Sequence, residues 1–140
     1  MDRVEAPKKL SNNIIKYIQK YNFTKLRKRM GYPVEVAGTG WDEATLRRVE
    51  RKYKDWMTIL YAYQDRISII GFDMEIDFFW HNHMLDTISY VNFCKKVFGY
   101  YLHHNPYAGM PGEPVSMKDL AGYYENFQQL LEQYQKSKAA

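Results

Sequence analysis

The fold turns on one stretch, Asp73 to Gly99, which reads DMEIDFFWHNHMLDTISYVNFCKKVFG. On a helical wheel at about 100° per residue, Ile76, Phe79, Trp80, Thr87, Tyr90, Val91, Cys94, Val97 and Phe98 share one broad side. Nothing in the segment alternates with the period of two that a half-buried strand requires. The stretch is therefore expected to be one helix opening near Asp73 and stopped by Gly99. At about 1.5 Å per residue it would be nearly 40 Å long and form the spine of the domain.

The flanks repeat the pattern. Upstream, Ser11 is a candidate N-cap for a run through Ile14, Ile15, Ile18 and Tyr21, with Asn22 as a point of interruption. Leu26 and Met30 carry that run on to Gly31 at a C-cap position, with Pro33 just beyond. Tyr32 to Gly40 reads as a loop. A second helix starts near Asp42, with Leu46, Val49, Tyr53, Trp56, Met57 and Leu60 spaced by threes and fours. Residues 64–72, with Ile67, Ile69 and Ile70, are open to a short extended piece, too little to build a sheet. Downstream, Tyr100 to Pro114 holds Pro106, Gly109, Pro111, Gly112 and Pro114 and reads as a long loop. Ser116 to Asp119 then forms a weak capping box for a last helix through Leu120, Tyr123, Tyr124, Phe127, Leu130, Leu131 and Tyr134. The expectation is an all-α domain over 1–140, a compact bundle of about four helices. It has a long central motif-bearing helix and a Pro/Gly-rich loop before the last helix.

Composition agrees. Of 140 residues 46% are hydrophobic, enough to bury a core, which excludes a disordered tail. No run approaches the roughly 18 apolar residues of a membrane span, and MDRVEAPKKL lacks the apolar stretch of a signal peptide, so a soluble cytoplasmic chain with no membrane partner is expected. Cys94 is the only cysteine, which excludes an internal disulfide and a multi-thiolate zinc site; it is expected to pack as a small core residue.

The charge, +4 in total, is uneven: residues 1–54 carry 14 of the 20 Lys and Arg against 6 acids, and residues 55–140 carry 6 against 10. Arg47, Arg48 and Arg51 are the candidate contacts if this half binds nucleic acid or an acidic protein. The same charges also suit a solvated helix face, or a basic half docking on the acidic half of its own fold.

All four histidines fall within one short reach: His81 and His83 in Trp80-His81-Asn82-His83, then His103 and His104. With Asp77 and Asp86 alongside, they are the donors that zinc, iron, manganese or copper would take. The four imidazoles are thus candidate ligands of a divalent transition metal. Asp77 and Asp86 are candidate catalytic groups, as ligand or base, in a metal-assisted hydrolysis. Imidazole beside carboxylate also suits metal-free proton transfer, and it equally suits a buried polar network that only holds the fold.

The run Ile76 to Thr87, followed by Tyr90, Cys94, Phe98-Gly99 and Leu102-His103-His104-Asn105-Pro106-Tyr107, resembles the glycine-rich domain-containing protein-like family, in its stand-alone bacterial form. The resemblance extends through Gly40-Trp41 and Gly109-Met110-Pro111-Gly112-Glu113, so it covers roughly residues 40–135. It implies no particular activity, since that family has none established.

Wheel geometry constrains what the histidines can do. With Ile76 at zero, Asp77 falls at about 100° and His81 at about 140°, an i,i+4 pair on the edge of the stripe. His83 falls at about 340°, inside the buried face, beside Asp86 and Tyr90. In an unbroken helix His81 and His83 point to opposite sides. His83 also lies about 24 Å before Gly99 along the axis, while Gly99 to His104 reaches at most about 17 Å. A single four-histidine site therefore requires a break near residue 83 or a second protomer. Two smaller groupings are expected instead: Asp77 with His81, and His83 with Asp86 and Tyr90.

Overall fold

The computed structural model describes residues 10–139, so the expected lack of a signal-peptide stretch in Met1 to Lys9 lies outside the described residues. The described residues form six α-helices: α1 (Asn12–Gln19), α2 (Thr24–Met30), α3 (Glu43–Ala62), α4 (Met74–Leu85), α5 (Thr87–Val97) and α6 (Met117–Ala139). Two 3-10 turns, Val34–Val36 and Gln64–Ile69, join them, and no strand occurs among the described residues. The fold is all-α, as expected.

There are six helices rather than about four because two of the expected helices are each split. The first breaks after Gln19. Asn22 Oδ1 accepts the N–H of Thr24 and so opens α2. The buried ammonium of Lys54 donates to the carbonyls of Gln19 and Tyr21 at 3.0 and 2.8 Å, closing the end of α1.

The second break corrects the expectation of a continuous spine. Asp86 adopts φ −82°, ψ 76°, outside the helical region, and its carboxylate accepts the N–H of Ser89 at 3.4 Å. It ends α4 and caps α5 in one residue. The chain turns there, and α5 packs back against α4 instead of extending it.

The remaining caps form where the residues foretell them. Asp42 Oδ1 accepts from Thr45 at 2.8 Å at the start of α3. Ser116 and Asp119 bond each other's backbone N–H reciprocally at 3.0 Å before α6. Residues 64–72 make a 3-10 turn and then an extended strap lying on α6. Gly71 donates to the Tyr123 carbonyl at 2.8 Å, and an added Cβ there would sit 2.8 Å from the Tyr124 nitrogen. Only glycine permits that approach.

Helix α3 is the centre, touching α1, α2, α4 and α6. Its stripe of Leu46, Val49, Tyr53, Trp56, Met57 and Leu60 is wholly buried, each large side chain contributing roughly 1.5–3 kcal/mol. One cluster joins it to Ile18, Ile76, Phe79, Phe93, Phe127 and Leu130. No helix among the described residues is long and apolar enough to cross a membrane.

Candidate functional site

His83 sits on the inner face of α4, where the wheel places it, and is 0% exposed. Its partners are not the expected ones. Nδ1 lies 2.8 Å from the hydroxyl of Tyr53 on α3, and Nε2 lies 3.3 Å from Ser89 Oγ on α5. Ser89 in turn meets the hydroxyl of Tyr21. The rings of Phe23, Tyr90 and Phe93 stand edge-on around the imidazole at 4.8, 5.0 and 5.2 Å. With no carboxylate in contact, burial alone pulls the His83 pKa down to about 3, so the ring is neutral at pH 7.

A neutral imidazole has one donor and one acceptor. Burial holds the Tyr53 phenol well above its usual value, so it stays protonated. Nδ1 is the one hydrogen-bond partner of that buried hydroxyl among the described residues, so the Tyr53 proton is assigned to Nδ1 and the ring proton to Nε2, which points the chain Tyr53 to His83 to Ser89 to Tyr21. Four side chains from three helices and the α1–α2 connection are thereby tied together.

Asp86, expected beside His83, is spent on the cap of α5 and is exposed. Tyr90 does lie against His83, but only through its ring. Its hydroxyl accepts from Trp80 Nε1 at 2.9 Å and donates to the Leu102 carbonyl. Trp80 and Tyr90 thus fasten the start of the 100–115 loop to α4 and α5. Cys94 is buried beside them, its thiol pushed up by that burial, which disfavours the thiolate a nucleophile requires.

Asp77 pairs with His104, not with His81: Asp77 Oδ1 and His104 Nε2 are 2.6 Å apart. The His104 ring lies on Trp80, centroids 4.4 Å apart, and its side chain is 18% exposed. His81 faces solvent on the far side of α4, and His103 is exposed against Tyr101. The turn at Asp86 explains the change, because it brings the chain after Gly99 back alongside α4 and delivers His104 to Asp77. The four imidazoles named as candidate ligands are dispersed. Among the described residues no group of three or more His, Cys, Asp or Glu side chains is placed to hold a metal.

Apart from Arg51, the basic residues of α3 pair with acids of the same chain. Arg48 grips Glu75 with two bonds of 2.9 and 2.7 Å, and Lys52 bonds Asp73 and Glu75. Arg48 and Lys52 hold the Glu75 carboxyl down at about 2, against a usual value near 4.5. Arg47 pairs with Glu43 one turn back, Arg27 pairs with Glu50, and Arg51 is exposed. The sequence-level asymmetry is in this part an internal match of α3 to the start of α4.

The functionally placed residues that sequence reasoning missed are Tyr53, Ser89 and Tyr21. Tyr53 is the single phenol within the apolar stripe of α3, a signal that its hydroxyl needs a buried partner.

The model of the UCP032817-like family matches residues 13–131, and the chain belongs to that family. This corrects the resemblance of the Ile76–Thr87 run and its flanks to the glycine-rich domain-containing protein-like family. The match begins in α1 and takes in α2, both left out of that resemblance. Trp80, His83, Tyr90 and Cys94, which carried it, are core and network positions of this bundle. No curated protein and no solved structure matches the chain.

Proposed function

We propose that this UCP032817-like chain is a non-catalytic helical binding module whose His/Asp motif holds the fold together. The observation that carries the reading is His83: fully buried, neutral, and engaged at both ring nitrogens by Tyr53 and Ser89. A group so placed has no free lone pair for a metal and no open side for a substrate. Asp77–His104 then serves as a clasp between α4 and the loop. Metal-assisted hydrolysis would need about three protein ligands converging on one ion with a further position open, and His81, His83, His103 and His104 point to separate places. Arg47 and Arg48 enter the reading as contacts within the fold.

The test is elemental analysis of protein purified without a histidine tag, combined with urea denaturation of His83→Ala and His81→Ala. The reading predicts no stoichiometric metal, a loss of about 3–5 kcal/mol for His83→Ala, comparable to deleting a buried aromatic ring, and little change for His81→Ala. Stoichiometric zinc, iron, manganese or copper that disappears in both His81→Ala and His104→Ala overturns it.

A further inference from the structure

Helix α4 is apolar on both sides. Ile76, Phe79, Trp80 and His83 fill the core, yet the outward side carries Met74, Phe78, His81 and Leu85. Met74, Phe78 and Leu85 are 70, 44 and 67% exposed. The outward sides of its neighbours are different: α3 shows Glu43, Arg47, Arg48 and Arg51 to solvent, and α6 shows Glu125, Gln128, Gln129 and Glu132. A helix apolar all round belongs in an interior, and α4 is interior on one side only.

The four outward residues stand four, three and four positions apart. That is the seam of a coiled coil, with Phe78 and Leu85 at a positions and Met74 and His81 at d positions. It runs about 16 Å along the axis, and no Lys, Arg, Asp or Glu interrupts it. Trp41, edge-on against Phe78 at 6.0 Å, widens it. The two ends of the seam differ in charge. At the first stands Arg48, its side chain 57% exposed although it bonds Glu75. Lys52, Asp73 and Glu75 beside it bond one another and are less exposed. At the far end stands the exposed carboxylate of Asp86, and the last carbonyls of α4 add their negative pole to it.

We propose that this outward face of α4 pairs with the same face of a second copy of the chain, the two helices antiparallel about a two-fold axis. The proposal rests on the binding-module reading in that the chain works by contact, and it names the partner; the buried His83 network takes no part. Charge selects both the partner and the direction. Turned end for end, the face brings Arg48 of each copy to the partner's Asp86, whereas a parallel pair brings Arg48 to Arg48 and Asp86 to Asp86. In the antiparallel register Met74 meets the partner's Leu85 and Phe78 meets the partner's His81, the a-to-d layers of such a seam. On the flanks Glu75 and Asp77 run beside the partner's Asn82 and Met84, so no like charges meet there. The face is its own complement, which is the condition for a closed two-fold dimer. It is smaller than the roughly 800 Å² per partner of a standard interface, so the dimer is weak, with a Kd of roughly 1–100 µM.

The experiment is sedimentation equilibrium of the full chain at low salt, over about 1–500 µM, a range that brackets the expected Kd. The expected result is a reversible monomer–dimer equilibrium. Leu85→Asp and Met74→Asp, both at exposed positions, each leave a chain that is folded by circular dichroism and monomeric throughout. Arg48→Glu and Asp86→Lys each weaken self-association at least threefold. Mixing those two variants in equal amounts restores a dimer close to the native Kd, because both ends of the mixed pair then meet opposite charges; a merely structural role for either residue predicts no such recovery. A chain that stays monomeric at the highest concentration, whether its seam is bare or reserved for another protein, overturns the proposal. So does a dimer that survives both Leu85→Asp and Met74→Asp, or a mixture that fails to recover. Metal content is read on the same samples. A metal-free monomer sinks the dimer alone, whereas a stoichiometric metal lost in both His81→Ala and His104→Ala sinks the module reading.

Discussion

Lowering the pH from 7 to 4.5 removes stability through His83 specifically, and the amount follows from its surroundings. In the folded chain the ring stays neutral down to about 3, whereas in the unfolded chain a histidine titrates near 6.5. Between those values the unfolded state binds a proton that the native state refuses. Stability is thus complete above pH 6.5 and falls as the pH is lowered through the window. At 1.36 kcal/mol per tenfold, the full effect is on the order of 5 kcal/mol, and about 2.5 kcal/mol of it is lost between pH 7 and 4.5. The assay is urea denaturation of the native chain and of His83→Gln at both pH values, followed by tryptophan fluorescence and circular dichroism. Glutamine does not titrate, yet it can accept from Tyr53 and donate to Ser89. Glu75, held near 2 by Arg48 and Lys52, loses its own contribution only below about pH 4.5, and it does so in both proteins. The difference between their pH responses therefore isolates His83. Equal responses would refute the reasoning, because they would mean that the folded imidazole takes up its proton as readily as the unfolded one.

Three further outcomes follow from the same contacts. Asp86→Ala removes the cap on which α5 starts and should lower stability by about 1 kcal/mol in a urea titration; an unchanged midpoint would argue that the turn does not depend on its side chain. Tyr90→Phe leaves the Trp80 N–H and the Leu102 carbonyl buried without their partner. The expected loss is about 2–4 kcal/mol, with faster proteolysis within the 100–115 loop as the local readout. Arg48→Gln should move the Glu75 carboxyl up from about 2 toward the usual carboxylate range, because the guanidinium is the largest cause of its depression; carboxyl NMR across pH 2–6 follows that directly.

Much of the fold is legible because its signals are local. The N-caps Ser11, Asp42 and Ser116 and the stripe of α3 depend on residues three or four apart, and all appear as read. The wheel also sets His83 inside and His81 outside, since both lie within the intact part of α4. The break at Asp86 was hidden by a competing signal. Apolar periodicity continues across it from Phe79 and Trp80 to Tyr90 and Cys94, and it masks Asp86, a residue type that favours the N-cap position. A continuous helix would hold His104 too far from α4, whereas the turn at Asp86 returns it to Asp77. The partners of His83 were beyond local reading for a different reason: Tyr53 is 30 positions away, and only tertiary packing of α3 on α4 selects it.

The most direct test of a fold-holding His/Asp motif is long-range proton–nitrogen NMR of the four imidazole rings, recorded at pH 7 and 4.5 and again with added zinc. The account predicts that His83 keeps one neutral, Nε2-protonated form at both pH values and does not respond to the metal. Protonation of His83 by pH 4.5, or zinc-induced shifts of its nitrogens together with those of His81, His103 and His104, would contradict it.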